Sequence, residues 1–341
     1  SNPEDLSRDD VIQLLLKSGC WPFIRQRPFG TIANPHQRPK SIFISAFDSN
    51  PLAPDNNLIM REATEDFQSG LDALKKLTDG SVHLNINGDA APVFTDAKGV
   101  VINKISGPHP SGNVGVQIHH IDPVNKGEVV WCISPQDVAV VGRLFNQGKF
   151  IASRIIALTG SQVKNPGYYR TIIGSAVKNI FADGGIKEGE NRIISGNVLT
   201  GKQISYDDYL NFYDSQLTVI PEGQEPEFMG WLAPGFNKFS MSRAFFSWLT
   251  PNKKHNLNTN MHGEERPFVI SGEYEKVFPM DIYPVQLLKS ILIEDVEMME
   301  NLGIYEVVEE DFALCEFVCT SKIESQHIIR RGLDLVRKEM S

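Results

Sequence analysis

The strongest constraint on this chain lies between residues 41 and 86, where the hydrophobic period changes twice. Residues 41–47 (SIFISAF) form a short apolar run that reads as a buried strand. Residues 60–77 then carry apolar side chains at helical spacing, with Phe67, Leu71, Leu74 and Leu77 on one stripe and Gly80 as the stop. Val82 to Ile86 returns to strand. Strand, amphipathic helix and strand in so short a stretch predict a parallel α/β unit, because parallel neighbours need a crossover. A helix over 9–18 precedes it, with Val11, Ile12, Leu15 and Leu16 on one side and Gly19 at its end. Further strands are expected at 100–105 and 128–133. The latter leads through Ser134, an N-cap, and Pro135 into a helix over 136–146. These elements define an α/β domain over residues 1–150.

The texture changes after Phe150. Strand-like runs at 151–158, 168–172 and 192–199 surround one short helix at 174–182, the pattern of a small α+β domain over residues 151–235. Residues 236–341 read as a linker, polar and Asn-rich at 252–266, followed by a C-terminal helical domain with helices over 284–301 and 321–338.

Lys and Arg number 33 against 42 Asp and Glu, a net charge of −9, which argues against generic nucleic-acid binding. No run of 18 apolar residues is present to span a bilayer. Four cysteines (Cys20, Cys132, Cys315, Cys319) do not make a disulfide framework, and a cytosolic setting is expected. There is no Gly-x-Gly-x-x-Gly after a strand, no Walker loop, no His-Glu-x-x-His and no Gly-x-Ser-x-Gly. An autonomous nucleotide-using or hydrolytic enzyme therefore has no motif to rest on, and no catalytic residue or metal site is assigned.

Four features could still carry chemistry. Gly107 to Gly115 could wrap an anion with backbone amides, but it holds no Lys or Arg and reads first as a structural turn. His109, His119 and His120 flank it at a spacing that matches no standard metal site. Cys315 and Cys319 fall at i, i+4, too few for an iron–sulfur cluster and best read as packed thiols. The fourth feature is the basic segment 21–40, in which Arg25, Arg27, Arg38 and Lys40 stand without one acid. Those four are the candidate contacts for an anion or an acidic partner. Residues 294–311 are its opposite, with eight acids and no base.

Five runs occur in order: 107–112 (GPHPSG), 160–169 (GSQVKNPGYY), 192–196 (RIISG), 231–239 (WLAPGFNKF) and 313–319 (ALCEFVC). Together they resemble the A subunit of the sodium-translocating NADH:quinone oxidoreductase, from about residue 8 to the end. The resemblance implies a Rossmann-like domain similar to the flavoprotein subunit of respiratory complex I, a β-grasp (SLBB-type) domain and a C-terminal helical part. It implies a further lipoyl-carrier-like N-terminal domain that this chain, beginning at Ser1 without Met, lacks. It also implies a peripheral subunit on the cytoplasmic face of the inner (plasma) membrane, supporting electron transfer from NADH to quinone coupled to sodium export. The expected partners are the other subunits of the pump, which hold the flavins and the iron–sulfur centre, and ubiquinone or menaquinone is an expected ligand. The alternative is a docking scaffold with no ligand of its own. Departures from the flavin-binding relatives favour a chain without cofactors. The flavin loop is replaced by residues 21–30 (WPFIRQRPFG), with one Gly and much bulk. The acidic motif after the first strand is reduced to Asp48-Ser-Asn-Pro51.

Overall fold

The computed structural model describes every residue except Ser1, 224–228, Trp231, Ser240, Ser242 and Ser341. Helix α1 (Arg8–Ser18) opens on a reciprocal cap, Ser7 with Asp10, and closes at Gly19 in the left-handed conformation. A single 3-10 turn (Trp21–Phe23) leads into a short hairpin, β1 (Arg25–Arg27) and β2 (Thr31–Ile32). Strand β3 (Ser41–Ser45) is followed by α2 (Asn56–Met60), α3 (Thr64–Lys75) and β4 (Ser81–Ile86). Then come α4 (Pro92–Thr95), β5 (Val101–Lys104), α5 (Val114–Ile121), β6 (Val130–Cys132) and α6 (Pro135–Gln147). The six strands lie in the order β2-β1-β6-β3-β4-β5. The pairs β3–β4, β4–β5 and β3–β6 are parallel, while β1 runs antiparallel to both β2 and β6.

Strand alternation splits the apolar run at 41–45 between two cores. Ile42 and Ile44 join Phe67, Leu71, Leu74, Val138 and Val141 under α3 and α6. Phe43 faces the other way, onto Ile118 of α5. The sheet is thus covered on both faces. Helices α3 and α6 approach to backbone contact: a Cβ on Gly142 would lie 1.6 Å from the Asp66 carbonyl, and one on Gly70 would lie 2.1 Å from that of Val138. The single helix expected over 60–77 is two. Asp55 caps α2 separately, and Ala63 leaves helical geometry before α3 begins.

A second sheet uses β7 (Ser153–Thr159), β8 (Gly167–Ile172), β9 (Asn191–Ser195), β10 (Lys202–Ile204) and β11 (Gln216–Pro221), with α7 (Val177–Gly184) as its helix. The order is β10-β9-β11-β7-β8, parallel only at β7–β11. Val177, Ile180 and Phe181 of α7 pack on Ile156, Leu158, Leu217 and Val219. The last part is helical: α8 (Pro284–Leu292), α9 (Val296–Asn301), α10 (Ala313–Val318) and α11 (Ser325–Glu339). Its core joins Leu287, Leu288 and Ile291 to Ile329, Leu333 and Val336. The helix expected over 284–301 breaks because Glu294 adopts φ +58 and Asp295 caps a new helix. The final helix starts at Ser325 rather than 321, after Lys322 at φ +56. Among the described residues no helix is long and apolar enough to cross a membrane.

Candidate functional site

Open parallel sheets take ligands in the crevice beyond the carboxyl ends of their strands. Here β3 delivers Ser45 to that edge, β4 delivers Asn85 and β5 delivers Asn103. These side chains are tied together. Asn103 Nδ2 donates to Asn85 Oδ1 at 2.8 Å, and Asn85 Nδ2 donates to Gln117 Oε1 at 2.7 Å. Gln117 Nε2 then donates to Ser45 Oγ at 2.9 Å and to the Ser111 carbonyl at 3.0 Å. Asn85 and Gln117 are fully buried, so the network supplies the partners their polar groups require.

The loop at 107–113 lies across this edge. Three of its five amides, the groups that would hold an anion, are committed within the chain. Ser111 N–H donates to the Pro108 carbonyl, Gly112 N–H to Ser49 Oγ at 2.8 Å, and Asn113 N–H to the Pro110 carbonyl. Gly112 sits so close to the β3 loop that a Cβ would meet Ser49 N at 2.5 Å. Ser49 Oγ also lies 2.9 Å from His109 Nδ1, while His109 Nε2 is buried without a partner. Burial pushes the His109 imidazole below its ordinary value, against the opposing pull of Asp48. The loop is thus tied down over the strand ends through Ser49, Ser111 and Gly112.

The other histidines are not part of that loop. His119 and His120 end α5, a helix not anticipated from the sequence. His119 Nε2 accepts from Asp281 N–H at 2.9 Å, so its Nδ1 carries the proton that bonds Glu306 at 2.7 Å. His120 Nε2 lies 2.9 Å from the Pro279 carbonyl. Both bolt the C-terminal part onto the first sheet. No group of three or more His, Cys, Asp or Glu among the described residues could hold a metal ion. Cys315 and Cys319 are buried free thiols. Burial pushes the Cys315 thiol far above its usual range.

Within residues 21–30, Trp21, Phe23 and Ile24 are core. Trp21 Nε1 donates to the Ala33 carbonyl at 2.7 Å, and the ring meets Trp131 edge-on at 5.5 Å. Phe23 stacks on Phe212 at 5.1 Å. A Cβ on Gly30 would be 3.2 Å from Val308.

The four basic candidates are not gathered on one surface. Arg25 bonds the Gly30 carbonyl at 3.1 Å and lies 5.1 Å above the Tyr213 ring. Arg38 pairs with Asp79, both exposed. Lys40 reaches Asp122 at 2.9 Å and Glu128 at 2.8 Å. Arg27 is 3% exposed. Its guanidinium donates to Asp311 at 2.7 Å, to Glu310 at 2.7 Å and to the Glu306 carbonyl at 3.0 Å. Burial opposes the Arg27 charge, but Asp311 and Glu310 outweigh it and hold the group protonated. The acid that Arg27 faces is thus the chain's own acidic run. Gly115 makes room for the pair, since a Cβ there would meet Asp311 Oδ1 at 2.3 Å and Arg27 Nη1 at 2.5 Å. The two charge-segregated segments carried the signal for this junction, through their complementarity. Arg330 repeats it, holding Glu309 Oε2 at 2.7 Å and the Phe29 carbonyl at 3.0 Å.

Comparison with known proteins identifies what the chain is similar to. A family model described as the NqrA second alpha/beta domain matches residues 6–150, and one described as the NQRA C-terminal domain, of SLBB type, matches residues 155–205. The A subunit of the Na(+)-translocating NADH-quinone reductase of Alcanivorax borkumensis is 42% identical over 336 residues, covering 98% of this chain and 75% of that protein. The Rhodopirellula baltica protein of the same name is 40% identical over 341 residues, covering 99% and 75%. Among solved structures, an NAD+-reducing NiFe hydrogenase in the H2-reduced state superposes with a TM-score of 0.50 at 10% identity, over 99% of this chain and 62% of that one. That likeness is one of fold, a Rossmann-like sheet followed by a β-grasp sheet and helices. The 42% identity along nearly the whole chain goes further: the chain belongs to the NqrA family, the A subunits of the Na(+)-translocating NADH-quinone reductase, an oxidoreductase complex.

Proposed function

We propose that this chain is a cofactor-free docking scaffold of the sodium pump, a peripheral subunit that supports electron transfer from NADH to quinone through centres held by its partners. The observation that carries this reading is the filled crevice. The loop at 107–113 spends the amides of Ser111, Gly112 and Asn113 on Ser49 and on its own carbonyls, and a buried Asn–Gln network closes the strand ends beneath it. A Rossmann-like sheet so occupied serves as a rigid frame. The ion pairs of Arg27 and Arg330 and the His119–Glu306 hydrogen bond lock the C-terminal helices to that frame. The cytoplasmic face of the membrane is the setting this implies, with the remaining subunits as partners.

The test is reconstitution. Membranes deprived of this chain should regain sodium-dependent NADH:quinone reductase activity when it is restored, and a tagged chain should bring the other subunits with it. A fully assembled, fully active complex without the chain would refute the reading. A quinone contact within the chain is the rival assignment. Saturable quenching of its tryptophan emission by ubiquinone would favour that rival over the scaffold.

A further inference from the structure

Between the second sheet and the C-terminal helices, residues 229–263 contain Lys238, Arg243, Lys253 and Lys254 and no Asp or Glu; acids resume at Glu264. The same region is rich in exposed apolar side chains among the described residues. Ten of the 31 exposed large hydrophobic side chains among the described residues fall within 229–263. Phe236 is 55% exposed, Trp248 50% and Leu249 57%. This exposure belongs to a folded lobe. Phe246 N–H donates to the Pro234 carbonyl at 2.8 Å, and the Phe236 and Phe246 rings lie 5.9 Å apart. Lys253 Nζ reaches the Phe236 carbonyl at 3.5 Å and also bonds Asn237. Phe239 meets Phe317 of α10 at 5.8 Å, which anchors the lobe to the helical part. Exposed aromatic rings and ammonium groups are therefore held together on one small element, and exposed apolar patches of this kind mark a binding surface.

The chemistry of the lobe selects the partner. Buried protein interfaces are depleted in Lys, yet three of the four cations here are Lys. Bilayer interfaces favour this combination, with aromatic rings at headgroup depth and long basic side chains reaching the phosphates. We propose that the lobe at 232–257 is a monotopic contact with an anionic phospholipid surface. Phe236, Phe246 and Trp248 enter the boundary between headgroups and acyl chains, while Arg243, Lys253 and Lys254 meet lipid phosphates. This deepens the reading of the chain as a peripheral component of a membrane complex and rests on it for its cellular setting.

Flotation of the 341-residue chain with vesicles tests the proposal directly. The vesicles are phosphatidylglycerol and phosphatidylcholine in equal parts, against phosphatidylcholine alone. The chain should float with the anionic vesicles and much less with the neutral ones. Trp21 and Trp131 are buried in the first core, so a blue shift of tryptophan emission on binding should report the lobe. Replacing Lys253→Ala and Lys254→Ala together should lower partitioning about 30-fold at low salt, from about fivefold per charge, with the deficit fading at high salt. Phe246→Ser with Trp248→Ser should weaken binding at every salt concentration. Both pairs are exposed, and unchanged thermal melts confirm that each variant is folded. Absence of flotation with anionic vesicles, equal flotation with neutral ones, or indifference to both double variants would overturn the proposal. Co-purification with the other subunits separates this outcome from failure of the functional reading. A chain that joins the complex but ignores vesicles refutes the lipid contact alone; one that binds vesicles but never joins the complex refutes the scaffold role alone.

Discussion

Replacing Asp311 by Asn tests the junction on which the scaffold depends. The Asp311 side chain is fully buried, and its Oδ2 accepts from both Arg27 Nη1 at 2.7 Å and Val308 N–H at 2.9 Å. Asn preserves the volume and one acceptor oxygen, so no cavity forms. It removes the charge and leaves Arg27, 3% exposed, with Glu310 as its one remaining anionic partner. Stripping one partner from a buried ion pair costs about 3–5 kcal/mol, because the remaining charge stays desolvated. Glu310 is partly exposed and returns no more than about 1 kcal/mol. The expected loss is therefore about 3 kcal/mol. Urea unfolding followed by tryptophan emission is a suitable assay, since Trp21 and Trp131 pack in the core beside β1. The double variant Arg27→Met with Asp311→Leu removes both charges and should recover at least half of that loss. A cost below about 1 kcal/mol for Asp311→Asn, or simple additivity of the two single variants, would refute the view that this pair locks the parts together.

Gly142→Ala should destabilise by about 3 kcal/mol, because the new Cβ would lie 1.6 Å from the Asp66 backbone and α3 must move off α6; a thermal melt like that of the parent would contradict the backbone contact. His109 titrates below its ordinary value of 6.5 because it is buried, so the unfolded chain takes up its proton first. Its contribution to stability is complete above about pH 6.5 and is lost as pH falls through the depressed folded value. His109→Asn should flatten that slope of stability against pH in mildly acidic buffer, and an unaltered slope would remove His109 as its source.

The parts of the fold that are legible in the sequence are those where one element carries a strong local signal. Ile42, Ile44 and Leu84 mark buried strands, and Ser134 with Pro135 marks the start of α6. Helix α5 is hidden because Val114, Val116 and Ile118 alternate like a strand behind a Gly- and Pro-rich loop. Strands β1 and β2 are too short to show a period and exist only through pairing with β6 and with each other. The breaks at Glu294 and Lys322 come from left-handed backbone at residues that do not announce it. The candidate site was half visible. Its loop stands out by composition, but the Ser49 hydroxyl that consumes its amide lies 63 residues away. Arg27 and Asp311 are 284 residues apart. Each charge run is evident alone, and only folding shows that they neutralise one another. Trp231, which helped carry the family resemblance, lies outside the described residues.

The central claim is that the Rossmann-like sheet has become a frame whose ligand crevice is closed by its own loop. The most direct measurement is equilibrium dialysis of the purified 341-residue chain against flavin mononucleotide, followed by a visible spectrum and release on denaturation. The bulk of Trp21 and Phe23 and the committed amides of Ser111, Gly112 and Asn113 predict a colourless chain that retains no flavin. Stoichiometric flavin absorbance that survives dialysis and is lost in a Gly112→Val variant would contradict it.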